Sequence, residues 1–99
     1  MKNAVYAYLK TIPAGTVATY GQVAAAVGNG KAVRAVGNIL HKNPNPAQIP
    51  CHRVVNRKGE LSKAYAFGGA EAQRKRLETE GIVFEPDGTV NLQKYGIES

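Results

Sequence analysis

The chain contains one cysteine in 99 residues, so no disulfide can form within it and nothing points to an oxidising compartment. It lacks an apolar run long enough to span a membrane. Met1-Lys2-Asn3-Ala4-Val5 opens without the apolar core of a signal peptide. A cytoplasmic, monomeric protein is the expectation. Acidic residues are also absent before Glu60, although Lys2, Lys10, Lys31, Arg34, Lys42, Arg53, Arg57 and Lys58 precede it. All seven acidic residues fall in the remainder, against five basic ones, and the whole carries a formal charge of +6. Such asymmetry fits one face held against a polyanion; a basic surface that only confers solubility is the alternative. There is no CxxC pair, and His41 and His52 are the only histidines. Structural zinc wants four ligands, so no metal and no cofactor are expected. No internal repeat, low-complexity run or linker divides the chain, and its length suits one domain over 1–99.

Ala4, Val5, Tyr8, Leu9 and Ile12 recur at helical spacing and predict a first helix over 4–11, ended by Pro13 and Gly15. Thr19 and Gln22 have the spacing of a capping box ahead of a second helix over 20–27. Gly28-Asn29-Gly30 can make the turn into a third helix over 31–41. Val33, Val36 and Leu40 form its inward side; Lys31, Arg34, Ala35, Asn38, His41 and Lys42 lie opposite. Two short helices with a glycine-containing turn of three or four residues, the second bearing a basic stripe, match a helix-turn-helix. Residues 53–62, with Lys58-Gly59 at the turn, predict a small β-hairpin wing. A fourth helix is expected over 70–80, then a second short hairpin or an extended tail around Pro86-Asp87-Gly88. The fold class expected is mainly α with a short β wing, a winged helix-turn-helix-like single domain.

The stretch richest in chemistry is Ile49-Pro50-Cys51-His52-Arg53-Val54-Val55. A lone cysteine is more often an inert buried residue than a nucleophile. Here a histidine and an arginine follow it directly, and neither is comfortable in an apolar core without a partner. A thiolate is the reactive form, favoured by nearby positive charge or a base. Neighbours on an extended segment point opposite ways, so His52 reaches the sulfur only if the backbone curls.

Pro50-Cys51-His52-Arg53-Val54 resembles the active-site signature of the O6-alkylguanine-DNA alkyltransferases, the methylated-DNA–protein-cysteine methyltransferases. Thr19-Tyr20-Gly21-Gln22-Val23-Ala24, Gly28-Asn29, Arg34-Ala35-Val36-Gly37 and Asn43-Pro44 stand at that family's separations from Cys51. Asn56-Arg57-Lys58-Gly59, Gly68-Gly69 and Glu80-Gly81 continue the match downstream. The resemblance implies a thiolate at Cys51 that takes the alkyl group from O6-alkylguanine. It implies His52 as a base acting through a water, Glu80 as its orienting carboxylate, and Asn43 as a brace for the cysteine loop. It places Arg34 in the base stack and Tyr20 against the flipped nucleotide, with Ala35 permitting close approach in the minor groove. Lys31, Asn38, Lys42 and Arg53 are expected as further DNA contacts. Base flipping meets a geometric need, because the alkyl carbon is out of reach inside a stacked duplex.

Two departures stand out. Full-length alkyltransferases usually carry a further N-terminal domain, and this chain begins at the DNA-binding domain. The family places Tyr-Ser before its glycine pair, whereas Ala66-Phe67 precede Gly68-Gly69 here and Tyr65 is displaced by one. Both departures, and the tail Val90-Asn91-Leu92-Gln93-Lys94-Tyr95, resemble the alkyltransferase-like proteins, which bind alkylated DNA, usually have tryptophan at the cysteine position, and pass the lesion to nucleotide excision repair. Two functions are therefore expected in order: single-turnover alkyl transfer to Cys51, or a non-catalytic damage sensor. The partner in both is duplex DNA containing O6-alkylguanine, with excision-repair proteins in the second. A winged-helix regulator with a structural cysteine is a blander third reading.

Overall fold

A computed structural model of the chain describes residues 2–28, 30–45, 48–61 and 68–97. The elements run α1 (Lys2–Leu9), β1 (Ala18–Thr19), α2 (Tyr20–Ala26), α3 (Val33–His41), a 3-10 turn (Cys51–Arg53), β2 (Val54–Val55), α4 (Gly69–Thr79) and α5 (Leu92–Tyr95). This is the mainly helical architecture with a short β pair that the sequence predicts.

Helix α1 buries Val5, Tyr6 and Leu9, and Ile12 follows them into the core. The expected Tyr8 is only half-buried. The helix closes by tightening: Thr11 N–H donates to Tyr8 O at 2.9 Å and Ile12 N–H to Leu9 O at 3.1 Å. Pro13 disfavours a helical residue before it, which sets that end. The capping box of α2 is complete, with Thr19 Oγ1 accepting from Gln22 N–H at 3.1 Å and Gln22 Oε1 accepting from Thr19 N–H at 2.8 Å. Such a cap contributes about 1 kcal/mol. Gly28, at φ +85°, makes the turn out of α2; Asn29, expected to share it, lies outside the described residues.

The connection to α3 is residues 27–32, longer than the three or four residues expected. Helix α3 starts at Val33 rather than Lys31, so Val33 stands on the first turn and is 41% exposed instead of facing inward. Val36 and Leu40 carry the inward face.

The wing is corrected. Val54 and Val55 do not open an antiparallel hairpin; they pair in parallel with Ala18 and Thr19. Residues 56–60 then form a closed turn, with Asn56 N–H donating to Glu60 O at 3.2 Å and the Asn56 side chain accepting from Lys58 and Glu60 N–H, both at 2.9 Å. The asparagine side chain satisfies amides that a second strand would otherwise need. Ser62 and the loop to Phe67, including Tyr65 and Ala66, lie outside the described residues. The second hairpin shrinks to one turn, in which Glu85 N–H donates to Thr89 O at 2.9 Å. Asn91 then accepts from Gln93 and Lys94 N–H, capping α5 where a strand was expected.

The strand pair divides two cores. Ala18 and Val54 join Val5, Leu9, Val23, Val36, Leu40 and Cys51 on one side. Val17 and Val55 join Leu77, Ile82 and Val90 on the other. Successive residues of an extended segment face opposite ways, so Val17 with Ala18 and Val54 with Val55 each serve both. The C-terminal segment is tied on beside them: Val17 N–H donates to Tyr95 O and Ile97 N–H to Val17 O, both at 2.9 Å. Gln22 Nε2 donates to Ile97 O at 3.0 Å. No helix among the described residues is long and apolar enough to cross a membrane.

Candidate active site

Cys51 opens the 3-10 turn that leads into β2. Arg53 N–H donates to Pro50 O at 3.0 Å, which curls the backbone that an extended segment would have kept straight. Cys51 is 4% exposed, sits in the helical core and forms no disulfide. The loop ahead of it is braced by the buried Asn43. Its Nδ2 donates to Ile49 O at 2.8 Å, and its Oδ1 accepts from Asn45 N–H at 2.9 Å.

His52 is 2% exposed. Its Nε2 lies 3.0 Å from Glu80 Oε2. An ionised carboxylate only accepts, so Nε2 carries the hydrogen and Nδ1 keeps the lone pair. Nδ1 is buried and has no hydrogen-bond partner among the described residues. Burial lowers the affinity of His52 for a second proton, and Arg76 and Arg53 lower it further. The hydrogen bond and charge of Glu80 oppose them without prevailing. The ring is therefore a neutral base at neutral pH.

Glu80 owes its place to the way α4 ends. Gly81 takes φ +97°, its N–H donates to Glu78 O at 3.0 Å, and Ile82 N–H reaches back to Leu77 O at 3.2 Å. This pair of bonds is a Schellman stop, and Ile82 and Leu77 supply its apolar contact within the second core. The stop leaves Glu80 as the helix cap. A carboxylate there opposes the helix dipole, and Arg53 supplies the compensation. Arg53 Nε donates to Glu80 Oε1 at 2.9 Å, Nη2 to Oε2 at 2.6 Å, and Nη1 to Ile12 O at 2.7 Å. Burial pushes the Glu80 carboxyl up, but the hydrogen bonds from Arg53 and His52 outweigh it and hold it below the ordinary range.

Arg53 was expected on DNA; in the structure its guanidinium faces inward onto Glu80, with the side chain 17% exposed. The other expected DNA residues sit elsewhere. Arg34 and Asn38 are exposed along α3, with Lys31 exposed just before it, Lys42 exposed just after it and Ala35 half-buried. Tyr20 is the first residue of α2, half-buried against the helical core. The structure thus brings His52, Glu80 and the Asn43-braced loop together around the turn that Cys51 opens, while Lys31, Arg34 and Lys42 lie on or beside α3.

Two supporting residues were not singled out from sequence. Gln73, buried on α4, donates through Nε2 to His52 O and Val54 O, both at 3.0 Å. It ties the 3-10 turn to the helix that carries Glu80, and its signal was a polar residue on the Leu77 face of a predicted helix. Tyr6 OH donates to Ile39 O at 3.0 Å, linking α1 to α3. Burial pushes the Tyr6 phenol up, and the charge of neighbouring Cys51 adds to this. Among the described residues, no three His, Cys, Asp or Glu side chains gather to hold a metal ion.

Known proteins resemble this chain in sequence and in fold. The family model for the 6-O-methylguanine DNA methyltransferase DNA-binding domain matches residues 1–82. The chain is 40% identical over 93 residues to the DNA base-flipping protein of Escherichia coli, covering 92% of this chain and 69% of that protein. It is 40% identical over 93 residues to the methylated-DNA–protein-cysteine methyltransferase of Haemophilus influenzae, covering 93% of this chain but 50% of that one. Among solved structures, S. pombe Atl1 bound to damaged DNA containing O6-carboxymethylguanine superposes with a TM-score of 0.86 at 33% identity, over 99% of this chain and 94% of that one. Mycobacterium tuberculosis OGT in complex with DNA gives 0.75 at 39% identity, over 80% of this chain and 47% of that one.

Proposed function

This chain belongs to the 6-O-methylguanine DNA methyltransferase DNA-binding-domain family, and we propose that it repairs O6-alkylguanine in duplex DNA by moving the alkyl group irreversibly onto Cys51. The observation that carries this reading is the relay beside the thiol: a neutral His52 whose Nε2–H is held by Glu80 and whose Nδ1 lone pair is available. Nδ1 takes the Cys51 proton through an intervening water. The sulfur attacks the alkyl carbon, a carbon–sulfur bond forms, and the bond from that carbon to guanine O6 breaks. The proton returned by His52 neutralises the guanine that leaves. The product is a thioether at Cys51 and an intact guanine, so each molecule acts once.

DNA engagement falls to the exposed stripe of α3. Lys31 and Lys42 contact phosphates, Arg34 fills the gap left by the flipped base, and Ala35 lets the helix approach the minor groove. Tyr20, at the start of α2, meets the flipped nucleotide. A second reading, a damage sensor that binds without transfer and recruits excision repair, is favoured by the near end-to-end match with Atl1.

Intact mass separates the two. Incubation with an oligonucleotide containing O6-methylguanine is expected to add one methyl group to the protein, and Cys51→Ala should gain nothing. Tight lesion binding with no mass change would sink the transfer reading and leave the sensor.

A further inference from the structure

Arg53 stands directly after the relay histidine, and its guanidinium is turned inward, with the side chain 17% exposed. It grips both oxygens of Glu80, at 2.9 Å to Oε1 and 2.6 Å to Oε2, and its third arm donates to Ile12 O at 2.7 Å. The oxygen that His52 Nε2 uses is the one that Arg53 Nη2 also holds. Nearly every approach to the carboxylate is thus fixed by one planar fork, a geometry that lysine cannot reproduce.

We propose that Arg53 is a positioning residue, which locks the Glu80 carboxylate towards His52 and offsets its charge so that the imidazole is oriented as a base without being held as a cation. This rests on the transfer reaction proposed above. An unshielded carboxylate at hydrogen-bond distance favours an imidazolium. A charged imidazole has no lone pair at Nδ1, and a base held in that form takes no proton from Cys51. The other charged groups facing His52 are Glu80 itself and Arg76, both from α4 or its cap, with Cys51 preceding it on the turn; Tyr6 of α1 lies beside Cys51. Arg76 also favours the neutral ring through its charge, whereas the two-oxygen grip on Glu80 comes from Arg53. Gln73 fixes the His52 backbone, not the ring.

The test uses NMR titration of the His52 ring in the DNA-free protein, which needs no transfer to occur. Wild-type His52 should be neutral at pH 7 with its hydrogen on Nε2. In Arg53→Gln the midpoint should rise by about one pH unit or more. In Arg53→Lys, which keeps charge but loses the fork, the rise should be smaller. The acid limb of the methyl-transfer rate should move to higher pH in the same order. An unchanged midpoint in folded Arg53→Gln would overturn the proposal. If that variant does not fold, the wild-type ring and Arg53→Lys decide: a wild-type His52 doubly protonated at pH 7, or a lysine variant with an unshifted midpoint and rate profile, overturns it. A shifted midpoint in a protein that transfers no methyl group would uphold the charge-setting role and refute the transfer reading separately.

Discussion

Glu80→Gln removes one charge at nearly constant shape and asks how much of the stability of this fold passes through the relay. Glu80 accepts from Arg53 at both oxygens and from His52 at one. The replacement keeps one carbonyl oxygen and turns a donor amide towards the remaining donors. A charge-assisted hydrogen bond contributes about 1.5–3 kcal/mol, and removing one partner of a buried ion pair costs about 3–5 kcal/mol. The Glu80 and Arg53 side chains are 15% and 17% exposed, so the lower end applies. A loss of about 2–3 kcal/mol is expected at pH 7, seen as a fall of about 10–20 °C in Tm for a chain of this size. The pH dependence is the sharper arm. The folded carboxyl is held below its ordinary range. Its stabilisation is therefore complete above the unfolded value of about 4.3 and fades as pH falls through the lower folded value. All other carboxyls are common to both proteins, so the wild-type advantage should shrink in that acid window. Thermal unfolding of both proteins from pH 7 down to pH 3 measures it. A difference that stays constant over the range would refute the claim that the ionised carboxylate is what holds the turn.

Two further outcomes follow from the same geometry. Asn43→Ala removes one of the two donors to Ile49 O, which keeps Cys51 N–H at 2.8 Å, and the acceptor of Asn45 N–H; it should cost about 1 kcal/mol, measured by denaturant unfolding, with faster amide exchange over 48–51. Lys31→Ala and Lys42→Ala, both at exposed positions, should each lower the slope of log affinity against log salt by about one in DNA-binding titrations, without altering lesion preference.

What could be read from the chain before folding, and what could not, divides along the range of the interactions. Local chemistry was legible. Thr19 and Gln22 announced their capping box, Gly81 announced the end of α4, and Pro13 announced the end of α1, because each acts within a few residues. The strand partners were not legible. Val54-Val55 followed by Lys58-Gly59 suits a hairpin, but Asn56 consumes the amides that a return strand would pair. The better partner, Ala18-Thr19, lies more than thirty residues upstream. The same limit explains Arg53. An exposed contact to a polyanion was a reasonable reading of an arginine in a stretch without acids, because the one carboxylate able to hold it inside is supplied by Glu80, 27 residues later. That placement bears on the charge asymmetry as well. With Arg53 neutralised internally by Glu80, the net charge presented by the acid-free segment rests on fewer cations than its sequence suggests. Those that remain on or beside α3, namely Lys31, Arg34 and Lys42, are exposed. The cations of the acid-free segment therefore do not act alike: Lys31, Arg34 and Lys42 stand exposed on or beside α3, whereas Arg53 is folded inward onto the carboxylate that holds His52.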